Sequence, residues 1–220
     1  VLPEGRPSER RAIALRVAQL GDNTVALEAL ERLYRDTERW GELLDVYEKK
    51  RALAEDPDER KQILYEIAKI YETQIGEPAS AVATYQAVLE DDPADAGALE
   101  ALDRLYQQTG DWEPYADVLR RRIELDVNEG ELIDLKFRLA GTQQEHIPDA
   151  AGALENYREV LFLDADHEGA RMALEGMLEN EALRGEAASI LESIYEALED
   201  WEKLIRALEI LAISDSGVDR

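Results

Sequence analysis

The sequence predicts an all-α protein, a solenoid of tandem antiparallel helix pairs with a 72-residue double-hairpin period. Three observations carry that expectation. The chain repeats itself: "ALEALERLYRDTERWGELLDVY" at 26–47 returns as "ALEALDRLYQQTGDWEPYADVL" at 98–119, with twelve of 22 positions identical. Apolar residues recur at i, i+3, i+4 and i+7, and no stretch sustains a period of two. The composition suits helix: 45% hydrophobic, carried mostly by Ala and Leu, with 6% aromatic and 34% charged residues. There are only 7 Pro and 13 Gly, and they are expected mainly between the periodic segments.

Taken in order, "ERRAIALRVAQLGDN" (9–23) lies one full period before 81–95 and reads as the second helix of an earlier hairpin. In "ALEALERLY" the residues Ala26, Leu27, Ala29, Leu30, Leu33 and Tyr34 form one apolar stripe. Glu28 to Arg32 and Glu31 to Arg35 are i, i+4 pairs in the favourable order. "RWGELLDVYEKKRALA" supplies Leu43, Leu44, Val46, Tyr47 and Leu53. "RKQILYEIAKIY" supplies Ile63, Leu64, Ile67, Ala68, Ile70 and Tyr71, and "SAVATYQAVL" supplies Ala81, Val82, Tyr85, Val88 and Leu89. The next copy keeps the same offset: Ala140, Ala153, Tyr157, Val160 and Leu161 match Ala68, Ala81, Tyr85, Val88 and Leu89. A weaker third copy begins at "ARMALEGML". "LRGEAASILESIYEALED" and "WEKLIRALEILA" add two amphipathic helices, in which Tyr195 and Trp201 are spaced as Tyr34 and Trp40 are, but out of the main register. The expected modules run about 25–96, 97–168 and 169–213 of a single domain over 1–220, with about nine helices.

The breaks are regular too. "EDPDE" (55–59) and "DDPAD" (91–95) place Asp where it caps free N–H groups and Pro where it suits a first helical turn. "TGDW" (109–112) and "LEDW" (198–201) are tighter turns that open the next helix with a large aromatic. A short hairpin cannot bury both faces of its helices alone, whereas stacked copies share a continuous core.

Bulk chemistry excludes several classes. Without Cys there is no disulfide scaffold, thiolate metal site or Cys nucleophile, which fits a reducing compartment and a cytoplasmic location. No apolar run approaches the roughly 18 residues of a membrane span, so no membrane insertion is expected. The start, "VLPEGRPSERR", has no signal-peptide core and no initiator Met, so the chain reads as part of something longer. With 50 acidic against 25 basic residues the net charge is −25, which repels a nucleic-acid duplex and an anionic membrane. A solvated acidic surface explains that charge, and attraction of a basic partner is the functional alternative.

The hairpins resemble degenerate tetratricopeptide repeats over roughly 25–213. The unit ending "SAVATYQAVLEDDP" has the small Ala81, aromatic Tyr85, Val88 and closing Pro93, preceded by Leu64, Ile67, Ala68 and Tyr71 at the family's spacing. It carries one extra residue between Tyr71 and Ala81. The unit at 98–128 keeps Leu99, Leu102, Tyr106, "GDW" and Leu119 but has Asp103, Tyr115 and Arg122 in small-residue slots, and Val127 where Pro closes. The resemblance implies a right-handed superhelix whose first helices line a concave groove for a protein or peptide. It places Arg32, Arg35, Tyr65, Lys69, Arg104, Gln108 and Phe137 on that groove. Arg32, Lys69 and Arg104 share one repeat position. They offer a basic track for carboxylates, unless each pairs with an acid on its own helix. Tyr65 and Phe137 share another, as partner anchors or as core. Trp40 and Trp112 are expected to pack at the hairpin turns.

Other constellations read as surface turns. "DADHEGARMALE" (164–175) approaches a calcium loop, yet has Arg171 at the eighth place and loses its ligands in the preceding copy, "DPADAGALEALD". His146 and His167 stand apart in loops, and no nucleophile–His–Asp set or phosphate loop is present. No metal, cofactor or catalysis is expected. The predicted function is a non-catalytic interaction scaffold; the alternative is a structural spacer or regulatory arm of a larger protein. Apolar ends are expected to drive self-association.

Overall fold

The computed structural model describes residues 24–217, and side chains for 24–213. The helix expected at 9–23 lies outside the described residues. Within them the fold is all-α: eleven α-helices, one π-helical turn and no strand. The sequence leads to about nine helices. The stretches 24–91 and 96–163 hold four helices each, and the stretch beyond 167 holds three. The chain divides into two compact units, Val1–Leu105 and Tyr106–Arg220.

The first unit contains α1 (Thr24–Asp36), α2 (Trp40–Leu53), α3 (Pro57–Ile70), α4 (Pro78–Asp91) and most of α5 (Ala96–Thr109), within which the boundary falls. Helix α1 packs on α2, α2 on α3 and α3 on α4. Connections of a few residues allow only antiparallel neighbours. The apolar stripe of α1 buries Leu27, Leu30 and Tyr34 against Leu43, Val46 and Tyr47 of α2 and Ile63, Ile67 and Ile70 of α3. Leu43 is fully buried, so its truncation to Ala costs about 2–5 kcal/mol. Asp56 caps α3 by accepting from the Asp58 N–H (3.1 Å), and Pro57 and Pro78 open α3 and α4, where a missing N–H costs nothing.

The extra residue between Tyr71 and Ala81 has a structural counterpart. Helix α3 runs directly into a π-helical turn, Tyr71–Ile75, and Gly76 at φ 75° stops it. The N–H groups of Gly76 and Glu77 both donate to the Tyr71 carbonyl (2.9 Å each). Widening one turn absorbs an inserted residue without breaking the helix.

The second unit contains α6 (Trp112–Ile123), α7 (Glu129–Glu145), α8 (Ala150–Leu163), α9 (Glu168–Met177), α10 (Arg184–Ala197) and α11 (Trp201–Gly217). Its core runs from Ala140 and Ala153 through Tyr157, Leu161 and Leu174 to Leu191 and Tyr195. Ala140, Ala153, Ala187 and Ala188 have no exposed surface, so small side chains occupy the most crowded positions. Asn128, Asp149 and His167 cap α7, α8 and α9 by accepting from backbone N–H groups at 3.0, 3.0 and 3.1 Å.

The tight turns share one geometry. Glu38, Gly110 and Glu199 all have left-handed φ, at 53°, 75° and 55°. The next residue's N–H reaches back to a tyrosine carbonyl each time: Arg39 to Tyr34 (2.8 Å), Asp111 to Tyr106 (3.1 Å) and Asp200 to Tyr195 (2.9 Å). That closure satisfies the last carbonyls of the helix. Trp40, Trp112 and Trp201 then begin α2, α6 and α11. Trp40 packs on the first core, and Trp112 stacks on His146 at 3.8 Å and meets Tyr115 edge-on. Trp201 is instead exposed, with Ile205, Leu208 and Ile213 further along α11.

Candidate partner-binding site

The first-helix face of unit 1 is built around Glu31. Its carboxylate accepts from the Tyr47 hydroxyl (3.0 Å), the Lys50 ammonium (2.8 Å) and the Arg35 guanidinium (3.0 Å). Arg35 also donates to the Tyr47 hydroxyl and lies 3.5 Å from Glu66 of α3. Burial pushes Glu31 up, but the hydrogen bonds from Lys50 and Tyr47 and the two cations outweigh it and hold the group below its ordinary range. Burial and the Glu31 bond raise the Tyr47 phenol. Tyr47 therefore stays a neutral donor, and this node ties α1, α2 and α3 together.

Two adjoining hollows open beside the node. One, about 610 Å³, is lined by Glu31, Arg35, Tyr47, Gln62, Tyr65 and Glu66, among others. The other, about 350 Å³, is lined by Arg35, Trp40, Glu66, Lys69 and Thr73, among others. Arg35 and Glu66 belong to both. Arg32 and Lys69 are exposed, and neither has an ion pair among the described residues. Arg104 is different: its guanidinium grips both oxygens of Glu72, the second at 3.0 Å, and Glu72 lies in the π-turn. So of Arg32, Arg35, Lys69 and Arg104, only Arg35 pairs with an acid on its own helix.

Tyr65 is half-buried in α3. Its ring meets Tyr85 edge-on at 5.8 Å, and its hydroxyl donates to Asp95. Asp95 also accepts from the Ala98 N–H (2.9 Å) and the Lys61 ammonium (3.1 Å). In the second unit Gln108 is exposed on the last turn of α5. Phe137, half-buried in α7, packs on Tyr157 at 5.8 Å and on the imidazole of His167 at 4.7 Å. The structure thus brings Arg35, Tyr65 and Lys69 along one face of unit 1, sets Arg32 and Arg104 in the same unit, and places Gln108 and Phe137 in the other.

Sequence reasoning misses the acids. Glu31, Asp103 and Glu175 occupy the same place in three successive copies. Glu175 accepts from the Tyr195 hydroxyl (2.9 Å) and Lys203 (2.8 Å), as Glu31 does from Tyr47 and Lys50, and it too is held below its ordinary range. Asp103 is buried. An acid at one place in "ALEALER", "ALEALDR" and "ARMALEG" is the available signal, and treating Asp103 as a departure from a small-residue slot hides it.

The calcium-like loop is a turn whose glycine has a packing role. The Asp164 carboxylate accepts from the Asp166 N–H (3.1 Å), and Gly169 lies under the Phe137 ring, where a Cβ would come within 2.8 Å. Among the described residues no three His, Asp or Glu side chains converge as a metal site.

Residues 26–61, spanning α1, α2 and the first turn of α3, match the tetratricopeptide repeat family. That match covers one hairpin, and the all-helical repeat fold of the described residues is similar to that of tetratricopeptide repeat proteins. The matched unit is the one that opens the described fold; the unit ending at Pro93 has its spacing interrupted by the π-turn. Similar solved folds include MamA (20% identity, 82% of this chain and 94% of that one, TM-score 0.45). Others are a human IFIT1 dimer with PPP-AAAA (18%, 86% and 47%, 0.47) and a Podosopora anserina putative kinesin light chain with nearly identical TPR-like repeats (16%, 98% and 99%, 0.41). No curated protein matches the sequence. Among the described residues no helix is long and apolar enough to cross a membrane.

Proposed function

We propose that the chain is a non-catalytic interaction scaffold that holds an acidic peptide segment on the α1/α3 face of its first unit. Tetratricopeptide-like repeats generally mediate protein–protein interactions. The observation that carries the finer reading is the pair of hollows sharing Arg35, one of them lined by Lys69; Lys69, and Arg32 on the same helix as Arg35, are exposed cations whose charge no described acid takes up. In a chain of net charge −25 such cations stand out as sites for carboxylates. Tyr65 supplies apolar ring edge, and Gln62 and Thr73 add donors and acceptors for a peptide backbone.

The test is a photo-reactive residue at Gln62 or Thr73, with one at the exposed Asp45 on α2 as control. Cross-linking of one protein from both α3 positions and not from Asp45 supports the reading. Equal labelling from all three, or none, favours the structural spacer, whose surface has no privileged face.

A further inference from the structure

A second surface lies in the other unit. Helices α8 and α10 leave a cleft of about 550 Å³ between them, lined by Leu161, Phe162, Ile190 and Ile194 and edged by Arg158 and Glu159. Phe162, in the last turn of α8, is 88% exposed. Its counterpart in the preceding copy is Glu90 of α4, also exposed, while the flanking Leu89 and Leu161 are both buried. Core packing is therefore satisfied in the same register with a charged residue at this place. The phenyl ring adds nothing to the fold that the other copy needs, and it stands beside a cleft whose walls are aliphatic.

The charges around the cleft select the partner. Arg158 is paired with Glu155, and Glu159 with Lys136, so these cancel. Glu186, one turn before Ile190, and Glu196, one turn beyond Ser193, have no ion pair among the described residues. Glu186 and Glu196 do not line the cleft itself, but both are exposed on α10 one turn from residues that do, so the free charge along that wall is acidic beside an apolar floor. We propose that this cleft docks a basic amphipathic peptide helix, which sets a large apolar side chain against Phe162 and its lysines or arginines toward Glu186 and Glu196. The volume suits a few apolar side chains, and a groove between two helices is a common seat for a third.

The test titrates the whole chain with two synthetic peptides: an amphipathic helix of leucine, tryptophan and lysine, and its counterpart with every lysine changed to glutamate. The lysine peptide should bind and the glutamate peptide should not. Phe162→Glu, which only installs the other copy's residue, should keep the helical circular dichroism and weaken binding roughly tenfold or more. The sign is decisive, since the variant is more acidic and unspecific attraction to lysines would rise. Arg32→Glu with Lys69→Glu should leave this binding unchanged, which separates it from the α1/α3 face. Undiminished binding to Phe162→Glu, equal binding of both peptides, or no binding overturns the proposal. Self-association abolished by Phe162→Glu, with no peptide bound, would assign the cleft to a second copy and overturn it as well.

Discussion

The corner at Tyr65 in the first unit and the corner at Phe137 in the second are built to one plan with different chemistry. Each sets an aromatic ring 5.8 Å from a tyrosine of the next helix, Tyr85 in one and Tyr157 in the other. Each lays that ring over a glycine, Gly97 or Gly169, and against the residue capping the following helix, Asp95 or His167. Every one of these pairs of positions is separated by one full period of the repeat. In the first unit the contact is a phenol hydrogen-bonded to a carboxylate that also holds Lys61. In the second it is ring against ring. Repetition fixes where a corner forms, and the residue pair decides whether polar bonding or packing holds it.

The largest effect should come from emptying the packed corner. Phe137→Ala removes the ring from Tyr157 and His167 and should cost about 3 kcal/mol in denaturant unfolding; Tyr65→Phe, which keeps the ring and loses one hydroxyl bond, should cost about 1 kcal/mol. A cost for Tyr65→Phe as large as for Phe137→Ala would erase the distinction.

The glycines sharpen it. A Cβ on Gly97 would lie 2.7 Å from the Tyr65 hydroxyl oxygen, and one on Gly169 would lie 2.8 Å from the Phe137 ring. Gly97→Ala should cost about 1 kcal/mol alone and become neutral or slightly stabilising in the Tyr65→Phe background, where alanine's helix preference is left unopposed. Gly169→Ala, which meets ring carbons, has no such rescue. Additive effects of Gly97→Ala and Tyr65→Phe would contradict the shared contact.

The polar corner should also be the one that feels pH through its own pair. Burial pushes Asp95 up, but the bonds from Tyr65, the Ala98 N–H and Lys61 outweigh it, so the carboxyl titrates below its ordinary 3.8. A carboxylate lowered on folding adds stability that is present above about pH 3.8 and is lost as pH falls below it. Tyr65 is raised above its ordinary 10.0 by burial and by Asp95, so its share is present below pH 10 and lost as pH rises past it. The stability gap between the wild-type chain and Tyr65→Phe should therefore be widest near neutrality and narrow on both sides. A gap that stays constant from neutral to strongly acid pH would contradict it.

The smallest effect concerns the turns. Gly110 adopts left-handed φ freely, whereas Glu38 and Glu199 carry the same geometry with a side chain. Glu38→Gly should gain about 0.5 kcal/mol and Gly110→Ala should lose about 1 kcal/mol. A loss on Glu38→Gly would show that its side chain holds the turn.

Much of the fold is legible because helical spacing, Asp caps and Pro starts are local signals, and all act within a short stretch of chain. The π-turn is visible as one surplus residue, though not its form. The binding face is less legible. Whether an exposed-looking cation is free depends on acids brought in from elsewhere: Glu72 claims Arg104 from the preceding hairpin, while Lys69 meets none. Asp103 looks like a poor fit to a small slot because the tyrosine–acid bonds of Glu31 and Glu175 join partners on different helices, far apart in the sequence. Phe162 is marked in the sequence only by standing where the preceding copy has Glu90; that it is exposed follows from neighbouring helices, not from its own.

The measurement closest to the central claim is affinity capture from the source lysate with three baits: this chain, Arg32→Glu with Lys69→Glu, and Phe162→Glu. A protein held by the first and third and lost from the second would establish the α1/α3 face as the seat of an acidic segment. The same proteins on all three baits, or none on any, would contradict a binding role for that face and leave the repeats as a spacer.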